Sequence, residues 1–126
     1  MKALVIGNPL QFGDLWEIAA INYGSDGLVI AIRDPGADKK ATVLFETILG
    51  FRVLDEGDLL EFWPECSLSN GWIFQIQDGG WYAQECQRPG FLARDTNKGV
   101  SEYLITSCNE CVNVLSWSQP VIDVRQ

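Results

Sequence analysis

Short β-branched apolar runs, each cut off by turn residues, are what most limit the folds open to this chain. LVIAIR (28–33) stops at Asp34, Pro35 and Gly36, and ATVLFETILGFRVL (41–54) resumes the pattern. EYLITSC (102–108) and CVNVLSW (111–117) flank Asn109 and Glu110. Runs of this length bounded by Asp, Asn, Gly and Pro are strand and hairpin signals. No run is followed by a helical pattern long enough to connect parallel strands. A mainly antiparallel sheet of about six strands with one or two short helices is therefore expected, an α+β or nearly all-β fold. A chain of 126 residues needs only one core, so residues 1–126 are read as a single globular domain.

The same patterns assign elements. Leu15, Ile18 and Ala19 fall at helical spacing between Asp14, a candidate N-cap, and Gly24, a stop, which predicts a short helix. Residues 28–45 predict an antiparallel hairpin, with a third strand near 50–54. Asp55 then caps a predicted two-turn helix with Leu59, Leu60 and Trp63 on one stripe, ended by Pro64. GWIFQIQDGGWYAQEC (71–86) alternates, and Asp78-Gly79 offers the positive φ angles of a two-residue turn. A hairpin is predicted there, with Trp72, Phe74, Ile76, Trp81 and Ala83 on one face. The last hairpin places Tyr103 and Ile105 on a face with Val112 and Val114. The tail after Pro120 is expected to be too short for another element with its own core.

The chain contains no histidine, which removes Ser-His and Cys-His nucleophile pairs, imidazole zinc sites and histidine pH switches. A net charge of −8 argues against direct binding to nucleic acid or to anionic membrane surfaces, both of which are held through Lys and Arg. The apolar run from Ala3 to Ile6 is broken by Gly7, Asn8 and Pro9 before a signal-peptide core forms, and no stretch approaches the roughly 18 apolar residues of a membrane span. The expected location is the cytosol. No cofactor is expected either: Gly7 and Gly13 lack the middle glycine and following long helix of a dinucleotide turn.

Cysteines at 66, 86, 108 and 111 are too few and irregular for a disulfide framework. CNEC (108–111) lies between two strands near the C-terminus, not at the start of a long helix as in a redox motif. Free thiols are expected, with a weak Cys108–Cys111 disulfide or a zinc site shared with Cys66 and Cys86 as alternatives.

Charge is unevenly spread. Between Arg52 and Arg88 there is no basic residue, while Asp55, Glu56, Asp58, Glu61, Glu65, Asp78 and Glu85 fall in the gap; Arg88, Arg94 and Lys98 then dominate the next segment. The spacing of the first five acids does not follow a calcium loop, so no metal ligand is assigned. Carboxylates that hydrolyse a glycosidic bond oppose each other across it, whereas these acids follow one another along one segment and favour a shared outward face. No catalytic residue is assigned. The candidate partner-binding residues are Asp55, Glu56, Asp58, Glu61 and Glu65 for electrostatic steering and Trp63 as an anchor, with Trp72 and Trp81 as further aromatic candidates.

A small, acidic, histidine-free chain with the layout FRVLDEGDLL, a Trp-rich segment and then EYLITSCNECVNVLSWSQP resembles the bacterial toxin-immunity proteins. The resemblance implies a non-enzymatic protein that binds one cognate basic toxin domain tightly, a nuclease among the possibilities, and blocks it. Two alternatives stand beside it: a small-ligand-binding domain or carboxylate-dependent enzyme with a tryptophan-lined pocket, and a module whose apolar hairpin face pairs between chains.

Overall fold

The computed structural model describes residues 1–7, 12, 15–55, 57, 59–93 and 99–125. Nine strands lie among them: β1 (Lys2–Gly7), β2 (Glu17–Gly24), β3 (Gly27–Asp34), β4 (Lys39–Phe45), β5 (Ile48–Asp55), β6 (Ile73–Asp78), β7 (Ser101–Ile105), β8 (Glu110–Ser116) and β9 (Val121–Arg125). They form a five-stranded sheet in the order β1-β6-β7-β8-β5 and a four-stranded sheet in the order β2-β3-β4-β9. All the strand pairings are antiparallel. A 3-10 turn at Leu60–Phe62 leads into α1 (Trp63–Cys66), and α2 is Trp81–Cys86. No helix of the described residues is long and apolar enough to cross a membrane.

The mainly antiparallel architecture agrees with expectation, but there are more strands than the six expected, and several segments depart from their predicted form. The helix predicted from Leu15 is instead strand β2. Its register against β3 shifts between Ile18 and Ala20, so Ile18 and Ile21 both meet the core although they stand three residues apart. The residues whose spacing suggested a helix share no buried face, since Ile18 is buried while Leu15 and Ala19 are exposed. The tail forms β9, which pairs with β4 and needs no core of its own because it extends an existing sheet. The Trp-rich hairpin is absent: β6 ends at Asp78, Gly79 takes the expected positive φ of 72°, and the chain then enters α2 while β6 pairs with β1 and β7.

The two hairpins read from local pattern form in register. Leu28 lies opposite Phe45 and Ile32 opposite Ala41; Tyr103 lies opposite Val114 and Ile105 opposite Val112. Both faces point inward, so Leu28, Ile30, Ile32, Val43 and Phe45 pack against Tyr103, Ile105, Val112 and Val114. Each such side chain taken fully out of water contributes about 1.5–3 kcal/mol. Phe45 and Tyr103 meet across the sheets with ring centroids 5.4 Å apart. Trp16 closes one end, its indole Nε1 donating to the carbonyl of Thr106 at 2.6 Å.

The opposite face of the five-stranded sheet carries a second core. There Phe74, Ile76, Leu104 and Cys111 are covered by Leu59, Phe62 and Cys66, with Ala3, Leu54 and Trp63 at the margin. The molecule therefore has three layers: the four-stranded sheet, the five-stranded sheet and a thin helical cover.

Candidate functional site

The acidic segment is part of that helical cover. It leaves the end of β5 at one edge of the five-stranded sheet and reaches α1, which packs beside β1 at the other. Asp55 Oδ1 accepts the N–H of Gly57 at 2.9 Å, a local turn that lifts the chain off the sheet. Among the described residues that follow, a 3-10 turn passes into α1, and Pro64 lies at the start of α1 instead of ending a helix. The predicted stripe also changes. Leu59, Phe62 and Cys66 point into the second core, whereas Leu60 is 70% exposed.

Seating 59, 62 and 66 inward turns Glu61 and Glu65, four residues apart, to solvent. Asp55 is exposed as well. The ion pairs among the described residues join Arg33 to Glu17, Arg88 to Glu85 and Arg125 to Asp123; none takes in Asp55, Glu61 or Glu65. Trp63 is half-buried against the second core. Glu56 and Asp58 lie outside the described residues, as do Arg94 and Lys98.

The other two aromatic candidates part company. Trp72 is fully buried, packed edge-on against Phe12 with centroids 5.0 Å apart; a Cβ on Gly7 would collide with its indole. Enclosed between the sheets, it has no surface to offer a partner, and its place is the core. Trp81 shares no sheet face with it. It opens α2, half-buried, with the Arg52 guanidinium carbon 5.1 Å from its ring centroid and its Nε1 donating to Glu85 Oε1 at 3.1 Å.

Beneath α2 lies a polar group that the sequence reading passed over. Glu102 on β7 is 3% exposed. Its carboxylate accepts the backbone N–H of Trp81 at 3.0 Å, that of Tyr82 at 2.7 Å and the Asn113 side-chain amide at 3.2 Å. Asn113 in turn accepts from Arg52 Nε at 3.0 Å. Burial pushes the Glu102 carboxyl above the ordinary carboxylate value, against the pull of those donors and of Arg52. Burial also lowers the Arg52 guanidinium, against the fields of Glu102, Glu61 and Glu85. Arg52 Nη2 is buried without a hydrogen-bond partner among the described residues. One sequence signal could have found this network. If Tyr103, Ile105, Val112 and Val114 face one core, alternation sends Glu102 and Asn113 to the other face, where they must be paired if anything covers them.

Two clefts flank α2. One, of about 310 Å³, is lined by Asp78, Gly80, Tyr82, Ser101 and Glu102 among others. The second, of about 290 Å³, is lined by Gly50, Trp81, Glu85, Arg88, Phe91 and Leu115. Asp78 and Glu102 share the first cleft, but the oxygens of Glu102 already serve three donors, which suits it to holding α2 and not to moving a substrate proton. No disulfide joins the four cysteines; Cys66 and Cys111 are buried in the second core, and Cys108 is exposed. Among the described residues no three His, Cys, Asp or Glu side chains are grouped to hold a metal ion. No family model, curated protein or solved structure matches the chain.

Proposed function

We propose that this is a non-enzymatic binding protein that inhibits a cationic protein, in the manner of a toxin-immunity protein acting in the cytosol of the cell that makes it. The observation that carries the reading is the outward display of Asp55, Glu61 and Glu65, the last two flanking the half-buried Trp63 in the chain, with none of the three carboxylates in an ion pair among the described residues. A protein that handles nucleic acid must present Lys and Arg to phosphate, and an inhibitor competes by offering carboxylates in its place. Complementary fields raise association toward about 10⁸–10⁹ M⁻¹s⁻¹ at low salt. Residence comes from anchors such as Trp63.

The test is to express the C-terminal domain encoded by the adjoining reading frame, alone and together with this chain. Growth arrest relieved by co-expression, and a complex of the two purified proteins, would support inhibition. Arrest that co-expression leaves untouched, or an adjoining frame that encodes a metabolic enzyme, would overturn it.

A second reading is favoured by the cleft between α2 and the strand pair β5–β8, where Trp81 and Phe91 stand beside Glu85 and Arg88. A small-ligand-binding domain would use it, and quenching of Trp81 fluorescence by a panel of aromatic and amine compounds tests that role.

A further inference from the structure

Strand β1 is the edge of the five-stranded sheet, and among the described residues it pairs only with β6. Leu4 lies opposite Gln75 and Val5 opposite Phe74, so these neighbours point to opposite faces of the sheet. Leu4 is 51% exposed, Val5 46% and Ile6 37%, and among the described residues none of them belongs to either core. Protein sheets usually blunt such an edge with charge or proline. The edge strand β9 of the other sheet carries exposed Asp123 and Arg125, whereas β1 has no charged residue beyond Lys2 at its start. An apolar strand with an open row of backbone donors and acceptors is a template for one more strand.

The surroundings select what that strand can be. Helix α1 packs beside β1 and shares the second core with Ala3. It brings exposed Glu65 to this side of the sheet, with Glu61 in the turn before it. We infer that β1 receives an extended segment of the cationic partner, in which apolar residues alternate with lysine or arginine. Its backbone continues the sheet, its apolar side chains fall on one face and cover Leu4, and its cations fall on the other, the face of Val5 and the helical cover, where they meet Glu61 and Glu65. This rests on the cationic-partner reading above and specifies how that partner is held.

The probe is a fluorescent peptide of about ten residues alternating valine and lysine, compared with a valine–glutamate peptide and with a valine–lysine peptide interrupted by proline. Anisotropy measures binding, amide hydrogen exchange reads residues 4–6, and sedimentation reads the oligomeric state. The valine–lysine peptide is expected to bind and to slow exchange at 4–6. Val5→Lys, and separately the pair Glu61→Lys and Glu65→Lys, should each weaken it about tenfold. Leu4→Lys, on the opposite face, repeats the test should Val5→Lys fail to fold. Binding without protection of 4–6, or equal binding of the proline-interrupted peptide, overturns strand addition while leaving the cationic-partner reading intact. Equal binding of the valine–glutamate peptide overturns the charge selection. Absence of binding overturns the proposal; if the protein is then a dimer that Val5→Lys dissociates, the edge belongs to a second copy.

Discussion

Glu102 and Tyr82, twenty residues apart, are joined by a hydrogen bond of 2.7 Å from the Tyr82 backbone N–H to the Glu102 carboxylate. Together with the bond from Trp81, it gives the first turn of α2 the acceptor that its own N-cap, Gly80, has no side chain to provide. Glutamine at 102 keeps the shape but replaces one oxygen with a donor, leaving a buried N–H facing another. Glu102→Gln is expected to cost about 2 kcal/mol by urea denaturation at neutral pH. A loss below about 0.5 kcal/mol would mean that α2 does not depend on this carboxylate.

The same carboxyl carries a pH signature. Burial raises its folded value, so the folded state binds its proton more tightly than the unfolded chain does. Its contribution to stability is fully present below the unfolded carboxylate range and is lost as pH rises through the folded value. The stability of the native protein minus that of Glu102→Gln should therefore fall as pH is raised from about 4 to 7. A rising difference would contradict the assignment.

At Gly80 the chain entering α2 runs close against the sheet. A Cβ there would lie 2.6 Å from Ile76 Cγ2 and 2.7 Å from Glu102 Oε2. Gly80→Ala must displace α2 or the carboxylate, and is expected to cost about 1–3 kcal/mol in thermal or chemical unfolding. Gly24→Ala, where a Cβ meets nothing within 4 Å, is the matched control.

The thiols should separate by reactivity. Cys108 is exposed, whereas burial, with the fields of Glu65 and Glu102, pushes the Cys66 thiol up to about 12. Since the thiolate is the nucleophile, Cys108 should react with a chromogenic disulfide in the native protein and Cys66 only on unfolding. Peptide mapping of the labelled protein checks this; early labelling of Cys66 would mean that the helical cover opens.

Exposed carboxylates can be reversed without harm to the fold. Glu61→Lys and Glu65→Lys should each change stability by less than about 0.5 kcal/mol, yet together slow association with a basic partner by about tenfold at low salt and flatten its salt dependence. Stopped-flow rates across ionic strength measure both. An unchanged slope would remove these acids from the encounter.

Local pattern made the hairpins β3–β4 and β7–β8 legible, the second down to its facing residues, because alternation and turn chemistry act within a few positions. The exposure of Glu61 and Glu65 follows instead from the inward seating of Leu59, Phe62 and Cys66, a set that differs from the expected stripe of Leu59, Leu60 and Trp63. Legibility failed where a distant residue decides. Ile18 joins the core through its pairing with β3, while Leu15 and Ala19, which suggested a helix with it, stay exposed. Trp72 could not be told from a surface ring until Phe12 and Gly7 were seen against it.

By itself the sequence determined an antiparallel β protein with a charge-segregated middle, without histidine chemistry, because composition and alternation are properties of neighbouring residues. Only the tertiary structure decided that residues after Gly80 coil into α2 and do not return as a strand, that β9 completes the second sheet, and that β1 is left open. Each of these outcomes depends on a partner that folding brings close: Glu102 supplies acceptors to amides twenty or more residues away, β4 supplies an edge to the tail, and no described strand supplies one to β1.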